Sequence, residues 1–276
     1  ITTVLAGGAE ACYNIGGIVE TIDPVEAIWT IPFLFRTAPG DVRHIRKAFV
    51  GSKIEKVLRE RQMKKGLYRL GTVCTVDGFM ICANNVRPIK KAEDIKGLKL
   101  RHPGGMLGHI YWESLGASPI VVRGAEVPVA LETGVIDGLT TVPLHYHDAR
   151  WHTKYLTLPY WCTYSLPFLV NLSWWNKLPQ DIRDIIENKV MPKLHEYAFS
   201  SVETLTLKAL DEMSKPPFNV QIYVMPESEV QRLKEITQPP AIEKYREAVG
   251  VALADELIEE ARRLAPEKGE SKWPPK

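Results

Sequence analysis

The stretch AEDIKGLKLRHPGGMLGHIYWESLGASPIVV, residues 92–122, contains the signals of a strand, a helix and a second strand in succession. LKLR is a short apolar alternation, the segment from Met106 to Leu115 has helical length and ends before Gly116, and SPIVV is short and rich in β-branched residues. Two strands joined through a helix usually pair in parallel. The stretch therefore predicts an α/β architecture.

The same alternation of helix and strand continues on both sides of this unit. Upstream, apolar residues recur at helical spacing from Asp41, a predicted N-cap, to Gly66, and LYRLGTVC follows as a strand. Downstream, a short helix over 126–132 precedes the strand VIDGLTTV. We expect these strands to join the predicted sheet system.

The C-terminal third is mainly helical. A long helical pattern runs from Leu178 toward Met213, with Pro192 inside it, where a bend or break is expected. A helix of about 30 residues is about 45 Å long, more than one small α/β layer requires, so it is expected to bridge two lobes. The strand NVQIYVM follows, and then helices are predicted over 227–236, 241–249 and 252–264.

Composition excludes several classes of protein. The 276 residues are 45% hydrophobic and 25% charged, which suits one large or two smaller globular domains. A net charge of +2 argues against a nucleic-acid partner. No apolar run approaches the roughly 18 residues that span a bilayer, so stable membrane insertion is not expected. The cysteines form no CxxC pair and are interpreted as small buried side chains in preference to disulfides: Cys12, Cys74, Cys82 and Cys162.

The densest group of potential metal ligands is HYHDARWH, which contains His145, His147, Asp148 and His152. His147 and His152 are five residues apart and do not share a helix face cleanly, and no HExxH motif is present. A polar loop or helix start is favoured, and we predict neither a metal nor another cofactor. A metal-dependent enzyme or metal-binding protein remains the alternative. Because GxSxG, GxxxxGK[ST] and GxGxxG motifs are also absent, we do not predict an enzyme.

Arg101 is the last residue of LKLR before the HPGG turn. In α/β sheets ligands bind beyond the carboxyl ends of the strands, and a guanidinium there can pair with both oxygens of a carboxylate. A surface arginine that closes a salt bridge explains the local stretch equally well. Spacing alone leaves both interpretations open.

Motifs in residues 87–138 have a characteristic order and spacing. They are Arg87-Pro88-Ile89, Glu93-Asp94, Lys96 to Arg101, Leu115 to Ala117 with Pro119, and Glu126 to Gly138. This set resembles the DctP-like substrate-binding proteins of TRAP transporters, the tripartite ATP-independent periplasmic carriers. PFLF at residues 32–35 and NLSWWNKLPQDIRDIIE at 171–187 are more distant matches, so the resemblance extends over nearly the whole chain.

The resemblance implies a periplasmic-binding-protein-like fold of class II type, with two α/β lobes, a hinge and a long bridging helix. It implies that residues 1–77 and 167–206 form lobe I, that 78–166 and 207–264 form lobe II, and that 265–276 form a flexible tail. Family members begin with a strand, a helix and a strand that have no counterpart before Ile1. We therefore expect an N-terminally truncated chain without a signal peptide. A truncated chain that binds nothing is a further alternative.

The implied function is binding without turnover, in the periplasm. The lobes would close on an organic acid and deliver it to the TRAP membrane permease, which an ion gradient drives. By resemblance, Arg101 takes the position of the arginine that binds the substrate carboxylate.

Three positions depart from the pattern of members that bind sialic acid or C4-dicarboxylates. Met80 stands in place of a second arginine, Leu139-Thr140-Thr141 in place of a segment with asparagine, and Gly124 in place of an aromatic residue. These departures favour a monocarboxylate with an apolar or aromatic body. Besides Arg101, the candidate ligand-binding residues are Phe79, Met80, Thr140, Thr141, His145 and Trp161.

Overall fold

The computed structural model describes residues 1–72, 78–265 and 268–274. Its strands are β1 (Ala11–Tyr13), β2 (Leu67–Thr72), β3 (Gly78–Asn84), β4 (Lys99–His102), β5 (Ser118–Val121), β6 (Gly138–Leu139), β7 (Tyr155–Thr163), β8 (Pro167–Asn171) and β9 (Gln221–Val224). Its α-helices are α1 (Thr2–Leu5), α2 (Gly16–Val19), α3 (Arg46–Phe49), α4 (Lys53–Met63), α5 (Met106–Ser114), α6 (Val127–Glu132), α7 (Pro143–Asp148), α8 (Leu172–Lys177), α9 (Gln180–Ile185), α10 (Met191–Met213), α11 (Glu227–Val249) and α12 (Val251–Leu264). Short 3₁₀ helices cover Pro24–Thr30, Arg43–Ile45, Ala92–Ile95 and Gly124–Glu126, and a π-helical turn covers Ile186–Val190.

The strands form two sheets, as expected for two α/β lobes. One has three antiparallel strands in the order β1-β8-β2, and the other has six in the order β5-β4-β6-β3-β7-β9. Strand β4 is parallel to β5 and β6, so the parallel pairing predicted for LKLR and SPIVV is confirmed. Because β3 runs antiparallel to β6 and β7, the larger sheet is mixed.

The chain passes between the sheets three times, from β2 to β3, from β7 to β8 and from β8 to β9. Residues 164–166 connect β7 to β8, and the segment that contains α8, α9 and α10 connects β8 to β9. Residues 73–77 between β2 and β3, which include Cys74 and Asp77, lie outside the described residues. Short connections of this kind allow two sheets to move relative to one another about a hinge.

Helix α10 links the cores of the two sheets. In its first half, Phe199 and Val202 pack in the core that contains Trp29. In its second half, Leu210 and Met213 pack with the core around Met80 and Leu139. The predicted bridging helix is therefore confirmed. Near Pro192, where the sequence predicted a bend or break, the helix contains the π-helical turn Ile186–Val190 and then continues as α10.

Three predicted elements differ in the structure. The single helix over 41–66 is wrong: α3 ends at Phe49, Gly51 adopts φ 73°, and α4 begins after Ser52, whose Oγ accepts the Glu55 N–H at 3.1 Å. The strand VIDGLTTV is reduced to β6, and the separate helices over 227–236 and 241–249 are one helix, α11. Their division at Pro239 and Pro240 was wrong because Leu233, Ala241 and Tyr245, fully buried, hold both halves in one helix.

The lobe boundaries given above stay a prediction. Helix α12 contacts α3 and α4, and its Leu257 and Ile258 are buried in the same core as Phe49. This packing favours assigning α12 to the lobe of the three-stranded sheet. In the predicted tail, the backbone N–H groups of Gly269 and Lys272 donate to carbonyl oxygens within 36–39, so the described part of the tail contacts the body of the protein.

The cysteine side chains agree in part with the prediction. Cys82 and Cys162 are free and buried, whereas Cys12 is free and partly exposed. In the segments that the structure describes, none of the helices has both the length and the apolar character needed to cross a membrane.

Candidate functional site

Arg101 lies near the carboxyl end of β4, between the parallel strands β5 and β6, and is only 4% exposed. Its Nε donates to the carbonyl oxygen of Val122 at 2.8 Å and its Nη1 to that of Thr140 at 3.4 Å. No carboxylate among residues 1–72, 78–265 and 268–274 forms an ion pair with it. Burial lowers the pKa of Arg101 to about 10, although the nearby Tyr164 acts in the opposite direction. The side chain is a desolvated cation that still has N–H groups to offer an anion.

Thr140 connects Arg101 to the neighbouring strands. Its carbonyl accepts from Arg101, its hydroxyl donates to the carbonyl oxygen of Met80 at 2.9 Å, and the same hydroxyl accepts from Trp161 Nε1 at 3.1 Å. The carbonyl of Thr141 accepts the backbone N–H of Met80 at 3.2 Å. The structure thus brings these predicted site residues into one hydrogen-bonded group. The side chain of Met80, fully buried, packs into the core of the larger sheet.

Aromatic rings extend this group on one side. Trp161 stacks on Tyr111 with ring centroids 4.1 Å apart, and Phe79 lies 6.2 Å from Trp161. Phe79 also makes an edge contact with Tyr164 at 4.5 Å. Tyr164 lies in the hinge segment 164–166 between β7 and β8, so this aromatic cluster extends to the connection between the two sheets.

Trp151 and His145 form a second group of side chains near Arg101. Its guanidinium is 5.7 Å from the ring of Trp151, and His145 makes an edge contact with that ring at 4.8 Å. A Cβ atom on Gly124 would lie 3.6 Å from His145 Nε2 and 3.8 Å from Trp151. Burial, with a smaller contribution from Arg101, lowers the pKa of His145. At Gly124 the structure thus has room for one methyl group beside a neutral imidazole and an indole.

Two neighbours of Arg101 were missing from the predicted site. Trp151 lies within the HYHDARWH segment, and Tyr164 follows β7, but neither lies at a sequence spacing that relates it to Arg101. The sequence signal was the residue type alone, because tryptophan and tyrosine can line a ligand site. Packing in the core explains such residues equally well.

The histidine segment does not form a metal site. His147 contacts Glu212 Oε2 at 2.7 Å through Nε2 and Asp148 Oδ1 at 3.0 Å through Nδ1. His152 stacks on Phe218 at 5.0 Å, and His145 faces Trp151. No group of three or more His, Cys, Asp or Glu side chains suited to a metal ion occurs in the described part of the chain. The metal alternative therefore has no geometric basis there.

Comparison with known proteins identifies solute-binding proteins as relatives of this chain. The family model described as bacterial extracellular solute-binding protein, family 7 (DctP) matches residues 1–248. The C4-dicarboxylate-binding periplasmic protein DctP of Rhodobacter capsulatus is 28% identical over 188 residues, 67% of this chain and 54% of that protein. A monocarboxylate 2-oxoacid-binding periplasmic protein of Nostoc is 29% identical over 145 residues, 49% of this chain and 39% of that protein. The chain matches at most about half the length of these relatives.

Among solved structures, a TRAP periplasmic solute-binding protein from Desulfovibrio salexigens with bound orotic acid superposes with a TM-score of 0.85 at 23% identity. The match covers 95% of this chain and 83% of that one and supports the two-lobe fold. The proteins of this family bind solutes for transport and are not enzymes. With a family model matched over residues 1–248, the chain belongs to bacterial extracellular solute-binding protein family 7.

Proposed function

We propose that this chain is the solute-binding component of a TRAP transporter and captures an organic monocarboxylate with an aromatic or apolar body. The single observation that carries this proposal is Arg101, a buried guanidinium bonded to two backbone carbonyl groups but to no carboxylate in the described residues. A buried charge is costly unless it is paired. A ligand carboxylate would supply that missing charge.

The side chains near Arg101 favour one carboxylate over two. Met80 stands where the family resemblance places a second arginine, and it is apolar and buried. A second ligand carboxylate would lose its hydration at this position without gaining a counterion, which disfavours dicarboxylates. Thr140 and His145 offer neutral polar groups in place of charge.

The proposed ligand body is aromatic or apolar. Trp151 and His145 border the space beside Gly124, and Trp161 and Phe79 form the aromatic cluster on the opposite side. Aromatic side chains bind planar ligands through stacking and edge contacts. Phe79 and Trp161 are therefore proposed walls, and Met80 and Thr141 are proposed supports that hold Thr140 in position.

The acids named for the relatives include both this ligand class and dicarboxylates, and a further solved structure contains succinate. The Nostoc relative is named for monocarboxylate 2-oxoacids, and the Desulfovibrio structure contains orotic acid, a planar monocarboxylate. The Rhodobacter relative is named for C4-dicarboxylates. We further propose that the protein works in the periplasm and delivers its ligand to the permease subunits, as expected for this family.

A thermal-shift screen tests the proposal. Orotate, benzoate and pyruvate would represent monocarboxylates without a hydroxylated body, succinate would represent dicarboxylates, and glucuronate would represent monocarboxylates with a polar body. A ligand at 100 times its Kd stabilises the folded state by about 2.7 kcal/mol, so binding is readily detected. We expect the largest rise in melting temperature with an aromatic monocarboxylate. A larger rise with succinate would contradict the proposed ligand class.

Matched variants assign the effect to the site. Arg101→Met should abolish the shift, whereas Arg123→Met, which removes an exposed arginine from the neighbouring segment, should preserve it. Loss of the shift in both variants would argue for general charge attraction and against a specific anchor.

A further inference from the structure

Glu20 joins two parts of the fold that belong to different sheets. It directly follows α2, whose Val19 packs with Leu67 and Leu169 of the three-stranded sheet. Its Oε2 accepts the backbone N–H of Met106 at 2.9 Å. Met106 is the first residue of α5, which follows the HPGG turn after Arg101. The carboxyl group of Glu20 thus caps a helix that leads away from the proposed ligand anchor.

The backbone at this contact is unusually close. A Cβ atom on Gly105 would lie 3.1 and 3.2 Å from the two carboxyl oxygens of Glu20. A Cβ atom on Gly17 would lie 3.2 Å from the carbonyl of Gly104, and the Gly17 N–H donates to Tyr164 Oη at 3.0 Å. Glycines on both sides therefore let α2 and the HPGG turn meet directly beside the hinge residue Tyr164.

No cation accompanies this carboxyl group. Within the described residues, Glu20 has no ion pair with lysine, arginine or histidine, and its second polar neighbour is the Thr30 hydroxyl at 3.5 Å. Burial, and to a lesser degree the charge of Glu26, raise the pKa of Glu20 to about 7, although the Met106 N–H opposes this rise. Enclosure without a counterion favours the protonated acid.

We propose that closure of the two lobes around Glu20 takes up a proton, so that Glu20 is a latch whose strength depends on pH. The inference rests on the two-lobe fold and on this contact, and it is independent of the ligand. When the lobes separate, the carboxyl group regains water and ionises as an ordinary glutamate. When they close, the protonated group still accepts the Met106 N–H through its carbonyl oxygen and no charge is buried.

Proton linkage gives the direction in which pH shifts the equilibrium between the open and closed states. A carboxyl group whose pKa is near 4.5 in the open state and about 7 in the closed state binds a proton on closing. Acid therefore favours the closed state, and this advantage is lost as pH rises through the interval between those two values. Between pH 5.5 and pH 8.5 the closing equilibrium should weaken by at most roughly thirtyfold.

Other titratable groups lie near the same contact, and their contributions to the pH dependence must be distinguished from that of Glu20. Glu26 pairs with the buried Arg69. Burial raises the pKa values of Tyr164, Tyr245 and Cys162, so these groups stay protonated at neutral pH. On the side of the turn, burial lowers the pKa of His102 to about 4, and the ring of His109 lies 5.8 Å from it.

The test compares compaction of the ligand-free protein at pH 5.5 and pH 8.5 by small-angle X-ray scattering. The wild type should have the smaller radius of gyration at pH 5.5. Glu20→Gln, which imitates the protonated acid, should be equally compact at both pH values. Glu113→Gln removes an exposed carboxylate from the same helix and should respond as the wild type does. A wild type that does not respond, or a Glu20→Gln variant that keeps the response, would overturn the proposal.

A second measurement follows the Glu20 carboxyl group directly. In protein labelled with ¹³C at glutamate carboxyl carbons, the resonance that Glu20→Gln lacks should titrate with a midpoint near 7. If that resonance titrates near 4.5, the latch is excluded.

Discussion

Arg69 on β2 and Arg101 on β4 are both buried arginines, yet their surroundings are opposite. Arg69 Nη1 lies 3.0 Å from Glu26 and its Nε 2.8 Å from Glu55, and Glu26 in turn accepts from Ser165 in the hinge segment. Burial opposes the charge of Arg69, but the two carboxylates outweigh it and raise its pKa. Within the described parts of the chain, Arg101 forms hydrogen bonds to backbone carbonyl groups and no ion pair, and burial lowers its pKa.

This difference separates a structural charge from a functional one. The ion pairs of Arg69 are complete within the protein, so this arginine is satisfied whether or not a ligand is bound. Arg101 lacks a negative partner in the described residues, and the protein bears the cost of its burial until an anion arrives. We therefore propose that incomplete pairing of a buried cation is the feature that marks the binding site.

The largest effect is expected for Arg69→Met. The substitution leaves Glu26 and Glu55 buried without their counterion, which should lower the free energy of unfolding by about 3 to 5 kcal/mol. Urea denaturation followed by circular dichroism measures this loss. Lys53→Met, which removes an exposed ion pair with Glu256, should change stability by less than about 1 kcal/mol. Equal losses in both variants would remove the distinction between the buried and the exposed pairs.

His102, which follows Arg101, extends the comparison to a third buried basic group. Burial lowers its pKa to about 4, and its Nε2 has no hydrogen-bond partner among the described residues. The unfolded chain binds this proton more readily, so stability should fall as pH decreases from about 6.5 to 4. The loss attributable to His102 should reach about 2 to 3 kcal/mol at pH 4.

Urea titrations across that pH interval would isolate this contribution. His102→Gln should reduce the pH dependence, whereas His152→Gln, an exposed control, should leave it unchanged. A His102→Gln variant with the full wild-type pH dependence would show that the imidazole is not buried in its neutral form.

For Arg101→Met we expect a small change in the stability of the ligand-free protein, within about 1 kcal/mol and without the large loss expected for Arg69→Met. The gain from removing a desolvated charge offsets the loss of the hydrogen bonds to Val122 and Thr140. Denaturation without ligand checks this expectation. A loss as large as that of Arg69→Met would identify Arg101 as a structural residue.

The smallest effect on stability is expected for Gly124→Ala. Its Cβ atom would make ordinary contacts with His145 and Trp151, so the free energy of unfolding should change by less than about 0.5 kcal/mol. Binding of an aromatic acid should weaken if the ligand occupies this space. Unchanged affinity in calorimetry would place the ligand body elsewhere.

Local patterns predicted the parts of the fold that depend on neighbouring residues. The strand LKLR, the helix that starts at Met106 and the strand SPIVV follow from short-range periodicity, and the motif order led to the two-lobe family. The break at Gly51 was missed because apolar spacing continues across it. The continuity of α11 through Pro239 and Pro240 was missed because it depends on distant packing partners.

The site was also predictable only in part, because its contacts depend on residues that are distant in sequence. The strand-end position made Arg101 a candidate and the family resemblance assigned it to the site, but its lack of a carboxylate partner in the described residues is a property of the folded chain. Trp151 and Tyr164 reach it from other elements. Glu20 contacts Met106 across 86 residues, and the stretch around Glu20 contains no motif that indicates this contact.

The most direct test of the account is calorimetric titration of the wild type, Arg101→Met and Arg123→Met with the aromatic monocarboxylate that gives the largest thermal shift. We predict one binding site in the wild type and in Arg123→Met. Arg101→Met should lose about 2 to 5 kcal/mol of binding free energy, the cost of removing one member of a buried charge pair. Wild-type affinity in Arg101→Met would contradict the assignment of Arg101 as the carboxylate anchor.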